Sequence, residues 1–186
     1  MDAHQWLLDI INECRQVMGA GEEPGVEPVM YISSRIKTPS SMKEKLKRSH
    51  LPIDAHSSLV LHDAVGARVV CSFKDDVYHF VDVLRTAITD DNGSIIEEKD
   101  YIGNPKPSGY RSYHMIILTP NHIKVETQIR TIAMDAWSSL EHQINYKKNI
   151  NDHDGSIRAL LRHCADDISA TDETMMTIKH AIIHQN

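Results

Sequence analysis

Residues 123–130 read IKVETQIR, and this octet decides the fold. Pleating sends successive side chains to opposite sides of a strand, so Val125, Thr127 and Ile129 share one face while Glu126, Gln128 and Arg130 share the other. A strand inside a mixed sheet hides an apolar face under helices. The fully polar face is therefore either open to solvent or a site. Immediately upstream, 111–118 form a second strand signal, joined to the first across Thr119-Pro120-Asn121-His122 in the manner of a hairpin. Downstream, Thr131 is placed to cap a helix with Ile132, Ala136, Trp137, Leu140 and Ile144 as its stripe.

Farther out, GARVVCSF at 66–73 is apolar and β-branched, and Asp75/Asp76 then cap a helix whose Val77, Phe80, Val81, Leu84 and Ile88 make one stripe. Asp91-Asn92-Gly93 turns the chain, and NPKPSG at 104–109 is a loop with strands on either side. At the amino end, Trp6, Leu7, Ile10, Ile11, Cys14 and Val17 recur at helical spacing until Gly19, Gly21, Pro24 and Gly25 break the pattern. A short strand over 31–37 precedes a second helix, which opens either at Thr38-Pro39 or at the capping box Ser41-Met42-Lys43-Glu44. A last helix begins after Asp154-Gly155. Its Ile157, Leu161, Cys164, Ile168, Thr171, Met175, Ile178 and Ile182 alternate four and three apart, a heptad seam.

The 186 residues suit one compact domain. A net charge of −6 excludes a polycation of the histone kind, so any anion site is local. No apolar run approaches a membrane span, and the amino end lacks the basic region of a signal peptide, which leads us to expect a cytoplasmic protein. Cys14, Cys71 and Cys164 are odd in number and far apart. They predict neither a disulfide framework nor a zinc site, and are expected in the core.

Charge is unevenly placed: an acidic stretch over 1–30 is followed by Arg35, Lys37, Lys43, Lys45, Lys47 and Arg48. Lys45 and Arg48 lie three apart on one helix face, so this block offers cations to a polyphosphate, or else a solvated helix surface. Asp63, just before a strand, could hold Mg²⁺ together with Glu126, because that ion takes one or two carboxylates plus substrate phosphates. The His62-Asp63 pair lacks the further ligands of a metal phosphohydrolase, and His180 and His184 lack a third ligand. GxxxxGK[ST], GxGxxG and GxSxG are absent, so a phosphate grip must come from side chains.

Four ordered stretches carry a resemblance: SRIKTPSSMKEKLKR at 34–48, HDAVGARVV at 62–70, KDYIGNPKPSGYRSYH at 99–114 and VETQIRTIAMDAWSSLEHQINYK at 125–147. Together they resemble the synthetase domain of the RelA/SpoT family, and the length leaves no room for a hydrolase domain, as in small alarmone synthetases. The resemblance implies an α+β fold, a mixed sheet of about five strands flanked by helices in the nucleotidyltransferase-like manner. It also implies transfer of pyrophosphate from ATP to the ribose 3′-OH of GDP or GTP, with release of AMP. By the same likeness Arg35 and Arg68 sandwich the ATP adenine, and Lys37, Lys45 and Arg48 hold its phosphates. Asp63 and Glu126 bind Mg²⁺, with Glu126 also activating the acceptor hydroxyl. Tyr110 stacks guanine, and Lys99, Lys106, His114 and Gln128 are further acceptor-side groups. The chain then divides into an amino-terminal helix and loop (1–30), a synthetase core (31–148) and a carboxy-terminal element for assembly or packing (149–186), the resemblance favouring a homotetramer.

The sequence departs from the family pattern at Ser34, where Gly is usual, and at Asp135, where small synthetases usually carry Asn. The second exchanges an amide donor for a carboxylate and bears on acceptor preference. Some relatives bind alarmone or single-stranded RNA through basic residues partly on the first helix. Here that helix has only Arg15, so strong activation by pppGpp is not expected. Two other readings are a toxin-type relative that pyrophosphorylates tRNA 3′ ends or adenine nucleotides, and a non-catalytic RNA-binding module. The acidic balance speaks against the first, and retention of every metal carboxylate and phosphate cation against the second.

Overall fold

The alternating strand and helix signals resolve, in a computed structural model describing residues 2–20, 27–54, 63–146 and 155–183, into one five-stranded sheet with helices packed on it. In chain order the elements are α1 (Ala3–Gly19), β1 (Val29–Ile36), α2 (Pro39–Arg48), β2 (Val65–Cys71), α3 (Lys74–Asp90), β3 (Ser94–Asp100), β4 (Tyr113–Leu118), β5 (Lys124–Thr131), α4 (Ile132–Tyr146) and α5 (Ser156–Ile183). The sheet order is β1-β2-β5-β4-β3, with β2 and β5 parallel and every other pair antiparallel. The expected α+β mixed sheet is what the chain forms. The breaker-rich stretch from Gly21 to Gly25, His62, Asp154 and His184 lie outside the described residues.

The octet that opened the reading behaves as its pleat dictates. Val125, Thr127 and Ile129 are fully buried, and the two valine and isoleucine side chains join one core with Val69 and Cys71 of β2 and Met115 and Ile117 of β4. Helices α1 and α3 close that core. Trp6, Leu7, Ile10, Ile11 and Cys14 come from α1, and Val77, Phe80, Val81, Leu84 and Ile88 from α3, the full expected stripe. At the end of α1 the drift of a 3.6-residue period carries Met18, and not Val17, into the core.

Several local expectations change. The second helix opens at Thr38, whose Oγ1 accepts from the Ser41 N–H at 3.3 Å with Pro39 in the first turn, and not at the Ser41 box. Helix α3 is entered through Phe73. Asp76 sits inside the first turn and accepts from the Phe73 N–H at 3.1 Å, so Asp75 and Asp76 are free to pair with Lys179 of α5. In α4 only Trp137 of the expected stripe is buried: Ile132, Ala136, Leu140 and Ile144 are exposed, while Met134 and Asp135 face inward beside Trp137. In α5 the packed line runs through Ala165 and Asp172, one position beyond the seam residues Cys164 and Thr171, and leaves Met175, Ile178 and Ile182 exposed. Cys164 is accordingly exposed too, in contrast to the buried Cys14 and Cys71. A helix face chosen by spacing alone names an apolar stripe but not the surface that covers it.

The turn after α3 is fastened to α1. The Trp6 Nε1–H donates to Asp91 Oδ2 at 2.5 Å, and a Cβ on Gly93 would fall 2.9 Å from both Trp6 Cη2 and Ile88 Cγ2. Gly93→Val is expected to overpack this seat and lower stability by about 1–3 kcal/mol, read as a fall in the urea midpoint at unchanged m-value.

Candidate active site

The polar face of β5 becomes a site because the register extends it across the sheet. Ser33, Arg68, Gln128, His114 and Lys99 pair in turn through β1, β2, β5, β4 and β3, so one row of polar side chains crosses all five strands. In the neighbouring row Arg35 pairs with Gly66 and Gly66 with Glu126. Gly66 adds no side chain between the other two. A cavity of about 180 Å³ opens there, lined by Ser33, Arg35, Asp63, Arg68, Glu126 and Gln128. A larger groove of about 630 Å³ between α1 and α3 is lined by Trp6, Ile10 and Val83 with Asp9, Glu13 and Asp90 at its rim, and offers no cation to a phosphate.

At one end of the smaller cavity Asp63 is gripped by two lysines. Lys37 Nζ lies 2.5 Å from Oδ2 and Lys45 Nζ 2.6 Å from Oδ1. Burial pushes the Asp63 carboxyl up, but these two partners outweigh it and hold the group below the ordinary carboxylate range. Arg35 is exposed on β1 and Arg68 half-buried on β2, both on the cavity wall, whereas Arg48 lies exposed on α2 outside the lining. Ser34 turns its hydroxyl toward His4 Nε2 of α1, at 2.8 Å.

At the other end, five side chains close a ring of hydrogen bonds. Arg130 Nη2 donates to the Tyr110 hydroxyl oxygen at 2.8 Å and to Gln128 Oε1 at 2.5 Å. The Tyr110 hydroxyl lies 2.8 Å from His114 Nε2, His114 Nδ1 lies 3.1 Å from Glu126 Oε1, and Gln128 Nε2 donates to Glu126 Oε2 at 3.2 Å. An arginine can only donate, so the Tyr110 oxygen accepts from Arg130; an ionised carboxylate can only accept, so His114 Nδ1 donates to Glu126 Oε1 and the imidazole bridges the acid to the tyrosine hydroxyl. Burial pushes the Glu126 carboxyl up. The bonds from His114 and Gln128 more than offset this, even against the nearby Asp63 charge, and leave it below the ordinary range. Both carboxylates are thus ionised at neutral pH and close enough to feel one another.

Asp63, Arg35, Arg68, Glu126 and Gln128 therefore meet in one cavity, with Lys37 and Lys45 behind Asp63 and His114 and Tyr110 behind Glu126. Lys106 Nζ stands 4.9 Å from the Tyr110 ring centre and 4.4 Å from that of Tyr101, while Lys99 pairs with Glu97 at 2.9 Å. Sequence reading missed three participants. Arg130 is almost fully buried at the centre of the ring, although its place on the polar pleat face was visible. Tyr101 sets its ring edge-on to His114 at 5.2 Å. Tyr31 donates to Asp135 Oδ2 at 2.5 Å, and its hydroxyl is pushed up to about 12, by burial first and by Asp135 next. Asp135 also faces Arg68 Nη1 at 3.2 Å and Arg130 Nη1 at 3.5 Å, so its charge is set against the two arginines.

A sheet face with cations at one end, a hydrogen-bonded carboxylate at the other and two ionised acids facing a shared cavity has the groups that phosphate transfer between nucleotides requires. Residues 34–151 match the region found in RelA / SpoT proteins. The chain is 40% identical over 166 residues to the GTP pyrophosphokinase YwaC of Bacillus subtilis, covering 85% of this chain and 77% of that protein. It is 33% identical over 159 residues to YjbM, a GTP pyrophosphokinase of the same organism, covering 82% and 72%. In three dimensions it resembles small alarmone synthetase 1 from B. subtilis bound to its product pppGpp, with a TM-score of 0.82 at 29% identity over 97% of this chain and 93% of the other. It also resembles small alarmone synthetase 2 from that bacterium, with a TM-score of 0.77 at 37% identity over 96% of each. The chain belongs to the RelA/SpoT family.

The lowered carboxyls fix the sign of a pH effect. In the unfolded chain Asp63 and Glu126 titrate near about 4, and in the folded chain lower. Their ionisation contributes stability that is complete above the unfolded value and is lost as pH falls through the folded ones. Asp63→Asn should lower the urea midpoint at pH 7, and the gap to the parent protein should close on acidification toward pH ~3.

Proposed function

We propose that the protein makes (p)ppGpp, moving the pyrophosphate of ATP to the ribose 3′-OH of GDP or GTP and releasing AMP. The observation that carries this reading is the convergence of Asp63 and Glu126 on one cavity, between the Arg35/Arg68 wall and the hydrogen-bonded acceptor ring. The acceptor oxygen forms a bond to the β-phosphorus of ATP, and the bond from that phosphorus to the bridging oxygen of AMP breaks. Arg35 and Arg68 take the adenine, while Lys37, Lys45 and Arg48 take the phosphates. On the acceptor side Tyr110 offers its ring to guanine, with Lys99, Lys106, His114 and Gln128 around the nucleotide.

Two hard, ionised carboxylates suit Mg²⁺, and the two lysines that Asp63 gathers show how strongly its oxygens call for positive charge. When bound, the ion would neutralise phosphate charge at Asp63 and Glu126. Glu126 accepts the hydroxyl proton, and the hydrogen bonds from His114 Nδ1 to Oε1 and from Gln128 Nε2 to Oε2 fix the orientation of its carboxylate. The tRNA-directed and non-catalytic readings have less support, since the sequence retains every phosphate cation and metal carboxylate that the resemblance calls for and the chain is acidic. Apolar side chains left exposed on α4 and α5 suit contacts between copies of the chain, and the family resemblance favours a homotetramer. No helix among the described residues is long and apolar enough to cross a membrane, and three free cysteines suit a reducing cytoplasm.

Incubation with labelled ATP and, in parallel, GDP, GTP, ADP or tRNA should yield a labelled guanine nucleotide and AMP; label on tRNA alone overturns the reading. Glu126→Gln should lower kcat by about 10²–10⁴ with ATP affinity little changed, and near-normal synthesis by this variant would remove Glu126 from its role.

A further inference from the structure

Helix α5 lies beyond residues 34–151, yet it holds the loop that carries Lys106 and Tyr110. That loop joins β3 to β4 and runs into Gly109-Tyr110-Arg111. Gly109 is buried with φ +92°, backbone that glycine adopts at little steric cost, and a Cβ there would fall 2.5 Å from Ala165 Cβ of α5. The loop backbone therefore rests directly on the helix. Arg111, its side chain 13% exposed, donates from Nη1 to the carbonyl oxygens of Gly109 at 3.0 Å and Ala165 at 3.1 Å, and from Nη2 to Asp166 Oδ1 at 2.8 Å. Arg162, one turn before Asp166, donates from Nε to Asp166 Oδ2 at 3.2 Å and from Nη1 to the Pro107 carbonyl at 3.2 Å. One carboxylate thus braces two guanidinium groups that between them hold the loop at Pro107 and Gly109. Tyr110 lies between two residues fixed to α5, and its hydroxyl is delivered to His114 and Arg130.

We propose that Asp166, Arg111 and Arg162 form a bracket through which α5 sets the acceptor half of the site, making this helix a positioning element for the guanine nucleotide. The identity of that ligand rests on the function proposed above; the bracket itself rests on the contacts. Ordering a loop in advance lowers the conformational entropy lost when a ligand binds to it. None of the bracket's contacts reaches the donor end, so its loss should separate the two substrates.

Asp166 has a half-exposed side chain, so Asp166→Ala should fold. Amide hydrogen exchange over 104–111 should quicken, KM for the guanine acceptor should rise about 3–10-fold, and KM for ATP should stay within about twofold. Asp166→Glu should restore most of the acceptor KM, and Arg162→Ala should act in the same direction as Asp166→Ala. Unchanged loop exchange, or KM rising equally for both substrates, overturns the bracket. Faster exchange with an unaltered acceptor KM overturns its role in the site. Should the parent protein transfer pyrophosphate to no guanine nucleotide, the functional reading fails instead, and hydrogen exchange still decides the bracket.

Discussion

Two groups of opposite charge, Glu126 and Arg130, sit four residues apart on the same face of β5, and neither is left to bulk water. Burying a charge without partners is costly, and the cost is relieved only by specific hydrogen bonds. Gln128 stands between them and gives its amide NH₂ to the acid and its carbonyl to the base, while Tyr110 and His114 complete the outer path. The ring forms only if β4 pairs with β5 so that His114 falls opposite Gln128, and if the 104–111 loop returns Tyr110 over the sheet. A one-residue slip in that register would reverse every side chain and strand both charges in the apolar core. The demand for partners thus constrains register, loop and helix together.

Much of this was legible along the chain. The alternation over 123–130 announces both a buried and a polar face, and the stripe of α3 names its core residues without error. The clustering of cations over 35–48 and the carboxylates at 63 and 126 suggested a phosphate site before any contact was known. Other features could not be read in this way. Which side of α4 and α5 is covered depends on a neighbouring surface, so apolar spacing named Trp137 correctly but selected Ile132 and Leu140 where the fold buries Met134 and Asp135. Arg130 was visible as a polar position but not as the hub of a ring, because its partners Tyr110 and Asp135 are set by tertiary packing.

Asp135 shows how a single departure can be absorbed. A carboxylate where the family resemblance leads one to expect an amide adds a negative charge, yet here it faces Arg68 and Arg130 and accepts a hydrogen bond from Tyr31. Arg130 and Arg68 repel one another, and an acid between them offsets that repulsion where an amide would not. The charge therefore bears on how the two arginines are held, one on the cavity wall and the other in the ring.

The depressed carboxyl of Glu126 also bears on where catalytic power resides. A carboxylate held below its ordinary range is a weak base, so in the proposed reaction the loss expected of Glu126→Gln is not carried by proton acceptance alone. Its ionised state is nonetheless what a cation ligand and a hydrogen-bonded pivot require. In transfer of a phosphoryl-type group, alignment and charge neutralisation can supply most of the acceleration. The contacts suit that division: two lysines gather on Asp63, a closed ring fixes the Glu126 carboxylate, and a loop seated on α5 carries Lys106 and Tyr110, residues proposed for the acceptor. Rigidity, more than basicity, is what the fold supplies to this chemistry.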